Sequence, residues 1–165
     1  MTTQQTPAEW DYIIVGAGSA GCTLANRLTE NGKHRVLLLE AGGKDRNPMI
    51  HMPAGYAKTL SAPSVNWLFR TESDAGTNGR EHIWPRGKVL GGSSSINGLI
   101  YVRGQHQDFD DWRDKYGCTG WGADDVLPWF KKSEGRTQVD GRNSEYDREF
   151  HGENGPLTVS DEPLT

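Results

Sequence analysis

Apolar residues fall into a few short runs separated by long polar and glycine-rich stretches. The first run, Asp11-Tyr12-Ile13-Ile14-Val15, is β-branched and aromatic, ends at Gly16 and predicts a buried strand. From Ser19 to Asn31 the spacing becomes helical, with Cys22, Leu24, Ala25 and Leu28 toward one side and Asn31-Gly32 as a stop. Arg35 to Leu39 is a second apolar run, closed by Glu40. Strand, glycine turn, helix and strand open a parallel βαβ unit, so an α/β fold is expected.

Between Ala41 and Pro85 the periodicity disappears among Gly42-Gly43, Pro48, Pro53, Pro63 and lone aromatics. Irregular stretches of that length are uncommon inside a domain and usually functional. A second glycine-rich segment, Gly87 to Asn97, precedes the apolar run Leu99-Ile100-Tyr101-Val102. Phe109, Trp112 and Tyr116 predict a helix over 108–116, stopped by Gly117. A further helix is expected from Ala123 to Glu134, with Val126, Leu127 and Phe130 on its apolar face and Pro128 limiting or bending its first turns. Residues 135–155 are polar and turn-rich, and residues 1–9 are expected to be disordered.

Composition adds a constraint. Hydrophobic residues make up 34% of the 165, and 21 are glycine, so much of the chain goes to loops. Such a chain orders itself against another body of protein or a large cofactor, or forms a small loop-rich globule. A net charge of −4 without a basic run argues against nucleic acid as a partner. No apolar stretch approaches the roughly 18–20 residues of a membrane span. The opening MTTQQTPAEW lacks the charged and apolar regions of a signal peptide, so a soluble cytoplasmic protein is expected. Cys22 and Cys118 form no CxxC spacing and read as ordinary thiols.

The chemistry begins at Gly16-Ala17-Gly18-Ser19-Ala20-Gly21, a GxGxxG between a predicted strand and a predicted helix. Gly16 permits the tight turn, Gly18 lets a pyrophosphate approach the backbone, and Gly21 lets the helix pack on the strand. The helix start offers free N–H groups and partial positive charge to phosphates. Glu40 ends the next strand, where a carboxylate accepts hydrogen bonds from an adenosine ribose. These features point to a dinucleotide without choosing between NAD and FAD. A glycine-rich turn in an ordinary βαβ unit is the competing reading.

In the segment Pro85 to Asn97, Gly91-Gly92 opens backbone geometry closed to other residues, and three serines follow. Ser93 or Ser94 could cap a short helix, and Asn97 has both donor and acceptor groups, while a serine-rich surface loop is an equal competing reading of these residues. Gly87-Lys88-x-Leu90-Gly91-Gly92-Ser93-Ser94-x-Ile96-Asn97, continued by Tyr101, Gly104 and Asp110, resembles the first signature of the glucose–methanol–choline (GMC) oxidoreductases. Glu40-Ala41-Gly42-Gly43, Asn66-Trp67, Thr71-Glu72, Asn78-Gly79-Arg80, Trp121-Gly122, Val126-Leu127-Pro128, His151-Gly152 and Gly155-Pro156-Leu157 resemble further landmarks of that family in family order.

The resemblance covers about residues 10–160 and implies a Rossmann-like FAD-binding βαβ core with long irregular loops, incomplete without a C-terminal remainder. Residues 161–165 would then begin the connection to a substrate-binding part. It implies FAD, with Ser19 and Ala20 against the pyrophosphate and Glu40 on the ribose. Val89, Ser93, Asn97, Gly98, Leu99 and Ile100 would lie along the ribityl chain and isoalloxazine. Some members attach FAD through a histidine just before this asparagine. Here Ile96 holds that place, so non-covalent FAD is expected.

In the family a histidine acts near flavin N5, taking the alcohol proton while hydride passes to the flavin. That histidine lies in a later part of the chain. His34, His51, His82, His106 and His151 do not correspond to it, and no catalytic residue or metal ligand is assigned. The expected partners are the C-terminal remainder, as a second polypeptide, and a small alcohol. The leading function is FAD-dependent alcohol oxidation. A non-catalytic dinucleotide-binding module and a redox-neutral FAD-containing lyase are the alternatives.

Overall fold

A computed structural model describes residues 9–137 and 149–160. All but the last residue of the stretch 1–9 expected to be disordered, the connection expected at 161–165, and residues 138–148 of the polar stretch 135–155 lie outside the described residues. The chain divides into two compact units, Met1–Ile100 and Tyr101–Thr165.

In the first unit, strand β1 (Tyr12–Val15) pairs in parallel with β2 (Val36–Leu39), from Tyr12 opposite Val36 to Val15 opposite Leu39. Helix α1 (Ser19–Thr29) makes the connection, giving the expected βαβ unit, and ends two residues before Asn31. Strand β1 is not buried as its composition predicts: Val15 is 84% and Ile13 61% exposed. A buried core of Val65, Val89 and Ile96, with Ile50 and Ala62 against it, lies instead among the loops that follow.

Those loops carry more order than their lost periodicity suggests. Helix α2 (Tyr56–Thr59) is a single turn, and β3 (Phe69–Arg70) pairs antiparallel with β4 (Ile83–Trp84). Side chains replace regular ladders as the organising bonds. Asn47 Oδ1 accepts from the Met49 N–H (3.0 Å), and Asp74 Oδ1 accepts from the Gly76 N–H (2.8 Å). Asn66, 2% exposed, donates to the carbonyls of Thr59 (3.4 Å) and Leu60 (3.0 Å) and accepts from the N–H groups of Leu68 (2.9 Å) and Arg86 (3.1 Å). Every polar atom of this buried amide is thereby satisfied.

The second unit holds α3 (His106–Asp114), α4 (Ala123–Ser133), β5 (Glu134–Thr137) and β6 (Leu157–Ser160), the two strands being parallel. Asp108 Oδ2 accepts from the Gln105 N–H (2.9 Å), capping α3. Asp110 Oδ1 accepts from the Ala123 N–H (3.1 Å), so the last residue of the GMC-like signature caps α4. Pro128 sits inside α4 without ending it. The strand pair was not foreseen, because polarity around 135 masked it.

Candidate functional site: a dinucleotide cleft

The site is built on the turn after β1. The Gly16 N–H donates to the Leu39 carbonyl at 2.7 Å, tying the turn to the end of β2. A Cβ at Gly21 would lie 1.9 Å from the Gly16 carbonyl oxygen, so only glycine lets α1 start this close to the turn. Helix α1 has no side-chain cap and no acidic residue in its first turn. Among the described residues, the N–H groups of Ser19, Ala20 and Gly21 find no backbone acceptor. Free donors and an uncompensated helix start suit an anion.

Glu40 is fixed by the same turn. One carboxylate oxygen accepts from the Ala17 N–H and the other from the Gly42 N–H, each at 2.8 Å. Each oxygen keeps a further lone pair for a ligand hydroxyl.

The second glycine segment closes on the first. The Gly91 N–H donates to the Ala17 carbonyl at 2.7 Å. Gly92 has φ +57°, and a Cβ there would stand 2.8 Å from Gly18 Cα, so both its conformation and its neighbour require glycine. Gly92–Ser95 forms a 3-10 turn capped by Gly91 without a side-chain bond. The capping role expected of Ser93 or Ser94 is therefore corrected. Ser93 Oγ accepts from the Gly87 N–H (3.1 Å), and Ser94 Oγ donates to the Gly91 carbonyl. The turn forms on glycine geometry, which leaves the hydroxyls to brace it.

Together these pieces line a cleft of about 540 Å³, bounded by Val15, Gly16, Gly18, Leu39, Glu40, Ala41, Trp67, Arg86, Gly87, Gly92 and Ser93. That volume is of the order of a small-molecule or cofactor site. A Cβ at Gly18 would meet only Gly92 Cα, at 4.0 Å, so the space before it is free for a phosphate. Free N–H donors, glycine faces and a fixed carboxylate fit an ADP moiety.

Of the residues singled out in the sequence, Gly16, Gly18, Glu40 and Ser93 line this cleft, with Ser19, Ala20 and Gly21 at the helix start beside it. Val89 is 1% exposed and its side chain is spent in the core. Asn97 Oδ1 accepts from the Leu99 N–H (3.0 Å), holding Leu99 at φ +61°. Asn97, Gly98, Leu99 and Ile100 are exposed and lie outside the cleft lining. Trp67, named above only as part of a family-like landmark, and Arg86, one residue before the family-like signature, belong to the cleft and were not assigned to the cofactor site.

The second unit contains a polar centre that sequence reasoning missed. Glu134 is fully buried, pairs with Arg103, and accepts from His151 Nδ1 and the Gly152 N–H, each at 2.9 Å. Burial alone would raise its pKa. The Gly152 N–H, His151 and Arg103 outweigh that and hold the carboxyl below its usual value. Arg103 also donates to the Phe150 carbonyl at 2.6 Å.

The GMC oxidoreductase family model matches residues 10–158. The chain is 49% identical over 150 residues to an oxygen-dependent choline dehydrogenase from Vibrio vulnificus, covering 91% of this chain and 25% of that protein. It is 48% identical over 152 residues to an alcohol dehydrogenase [acceptor] from Pseudomonas putida, covering 92% and 26%. The crystal structure of pyridoxine 4-oxidase from Mesorbium loti superposes with a TM-score of 0.80 at 41% identity, covering 91% of this chain and 28% of that one. The chain belongs to the GMC oxidoreductase family, and one solved structure that it matches, at 32% identity and a TM-score of 0.78 over 92% of this chain and 26% of that one, is an FAD-dependent oxidoreductase from Chaetomium thermophilum. It spans about a quarter of the length of the curated relatives it matches. Among the described residues, no helix is long and apolar enough to cross a membrane.

Proposed function

We propose that this chain forms the ADP-binding half of a Rossmann-like FAD site in a cytoplasmic oxidoreductase that acts on the CH–OH group of an alcohol. The observation that carries this reading is the convergence of free α1 N–H groups, the pinned Glu40 carboxylate and the Gly91-Gly92 turn on one cleft. The N–H groups of Ser19 and Ala20 hold the pyrophosphate, and Glu40 accepts from the adenosine ribose hydroxyls while it keeps the glycine turn in shape. Val89 contributes through its backbone, since its side chain is buried. Asn97 to Ile100 present exposed backbone for the flavin end. FAD held there would supply the hydride acceptor, its N5, for oxidation of an alcohol to an aldehyde or ketone. The similarity to choline and alcohol dehydrogenases supports choline or another primary alcohol as substrate.

FAD is held without a covalent bond. Ile96, at the position where a histidine attaches flavin in some members, is 3% exposed and packed with Val65 and Val89. The proton-accepting base comes from the remainder of the enzyme. Exposed Ile13, Val15, Ile100 and Val102 support such a body of protein as partner. Anaerobic addition of choline or a primary alcohol to the flavin-loaded enzyme tests the reading. Bleaching of the visible flavin absorbance is expected. A protein that binds FAD and is reduced by neither is a binding module or a redox-neutral enzyme instead.

A further inference from the structure

The cleft lining contains two charged residues, Glu40 and Arg86. Glu40 is committed to the Ala17 and Gly42 N–H groups. Arg86 is exposed, and among the described residues no carboxylate pairs with it. Its guanidinium donates to its neighbour's carbonyl, Pro85, at 2.7 Å and lies 5.2 Å from the centre of the Trp84 ring.

The backbone around Arg86 is held in place at some cost. Its N–H donates to the buried Asn66 side chain at 3.1 Å, and its carbonyl accepts from the Trp67 N–H at 2.9 Å. Leu68, which follows Trp67, sits at φ +55°, a conformation that leucine adopts rarely, with its N–H on the same Asn66 oxygen at 2.9 Å. A buried, fully bonded amide and a strained residue thus fix the backbone of a cationic residue that has no acidic partner among the described residues, beside a cleft. A dinucleotide brings a pyrophosphate with two negative charges into a lining whose other ionic group is a carboxylate. A guanidinium, with its planar fork of donors, matches phosphate oxygens.

We propose that Arg86 is the binding residue that supplies the counter-charge to the pyrophosphate of FAD. This rests on the FAD reading of the cleft. Through this contact the enzyme distinguishes ligands that carry the diphosphate from those that carry only the nucleoside.

The test uses enzyme freed of flavin, with ADP and adenosine each competing against FAD re-binding, followed by flavin fluorescence. In the unmodified enzyme ADP competes better than adenosine. Arg86→Met is expected to weaken ADP and FAD about 10- to 100-fold, the size of a lost charge-assisted contact. Adenosine affinity stays within about twofold, because it makes no such contact. Arg86→Lys, which keeps the charge but not the fork, recovers part of the loss. Equal weakening of ADP and adenosine by Arg86→Met means a structural role and overturns the proposal, as does unchanged ADP affinity. If the unmodified enzyme binds no FAD, the FAD reading itself fails, and the assignment of Arg86 falls with it.

Discussion

Replacing Glu40 with glutamine probes the joint between the glycine turn and the nucleotide. The carboxylate bridges the Ala17 and Gly42 N–H groups with one oxygen each, both at 2.8 Å. Glutamine has one acceptor oxygen, so one bond survives as a neutral contact, and the other is replaced by an NH2 facing an N–H. Hydrogen bonds to a charged group contribute about 1.5–3 kcal/mol each, and neutral ones about 1 kcal/mol. The change therefore costs about 2–5 kcal/mol, roughly 30- to 5,000-fold in an equilibrium constant. Because both bonds form within the protein, part of the loss falls on the flavin-free state and part on FAD binding. Titration of the deflavinated enzyme with FAD, paired with its thermal midpoint, separates the two. Both should fall in Glu40→Gln. A variant that matches the unmodified enzyme in both would refute the role given to this carboxylate.

Four further outcomes follow. Gly21→Val places a Cβ about where the Gly16 carbonyl stands, 1.9 Å away, and should lower the stability of the fold and abolish FAD retention, read from the flavin absorbance of purified protein. Glu134→Gln leaves Arg103 buried against a neutral group and should cost about 3–5 kcal/mol, measured by denaturant titration. Glu134 is held below its usual value of 4.5, so its stabilising contribution is present above that pH and is lost as pH falls through the lowered value; an acid titration of stability in the wild type should show a loss below about pH 4.5 that Glu134→Gln lacks. Acid precipitation should leave all flavin in the supernatant, while yellow colour in the pellet would contradict the part given to Ile96.

The βαβ unit, the glycine turn and Glu40 were legible because each is written in a short local pattern: strand runs, helical spacing, and glycines at fixed intervals. The same locality explains what was missed. Trp67 and Arg86 reach the cleft through Asn66, whose partners lie at Thr59, Leu60, Leu68 and Arg86, a set that no periodicity announces. Ser93 and Ser94 carry the residue type of a cap, yet the positive φ of Gly91 and Gly92 shapes that turn, and the hydroxyls bond back to brace it. Glu134 stands in the sequence only as the last residue of an expected helix. Its burial depends on Arg103, 31 positions earlier, and His151, 17 positions later. Strand β1 reads as buried from composition, while its exposed Ile13 and Val15 show that composition records what a strand is able to bury and not what covers it.

The central claim is that this chain's cleft reads the ADP half of FAD. It is tested most directly by titrating the deflavinated enzyme with FAD, FMN and NAD and following flavin or tryptophan fluorescence. Saturable binding of one FAD per chain is expected, with no comparable binding of FMN, which keeps one phosphate but lacks the AMP part, and weaker binding of NAD. Binding of FMN as tight as that of FAD would contradict it, because the glycine turn, Glu40 and Arg86 would then have no part in holding the cofactor.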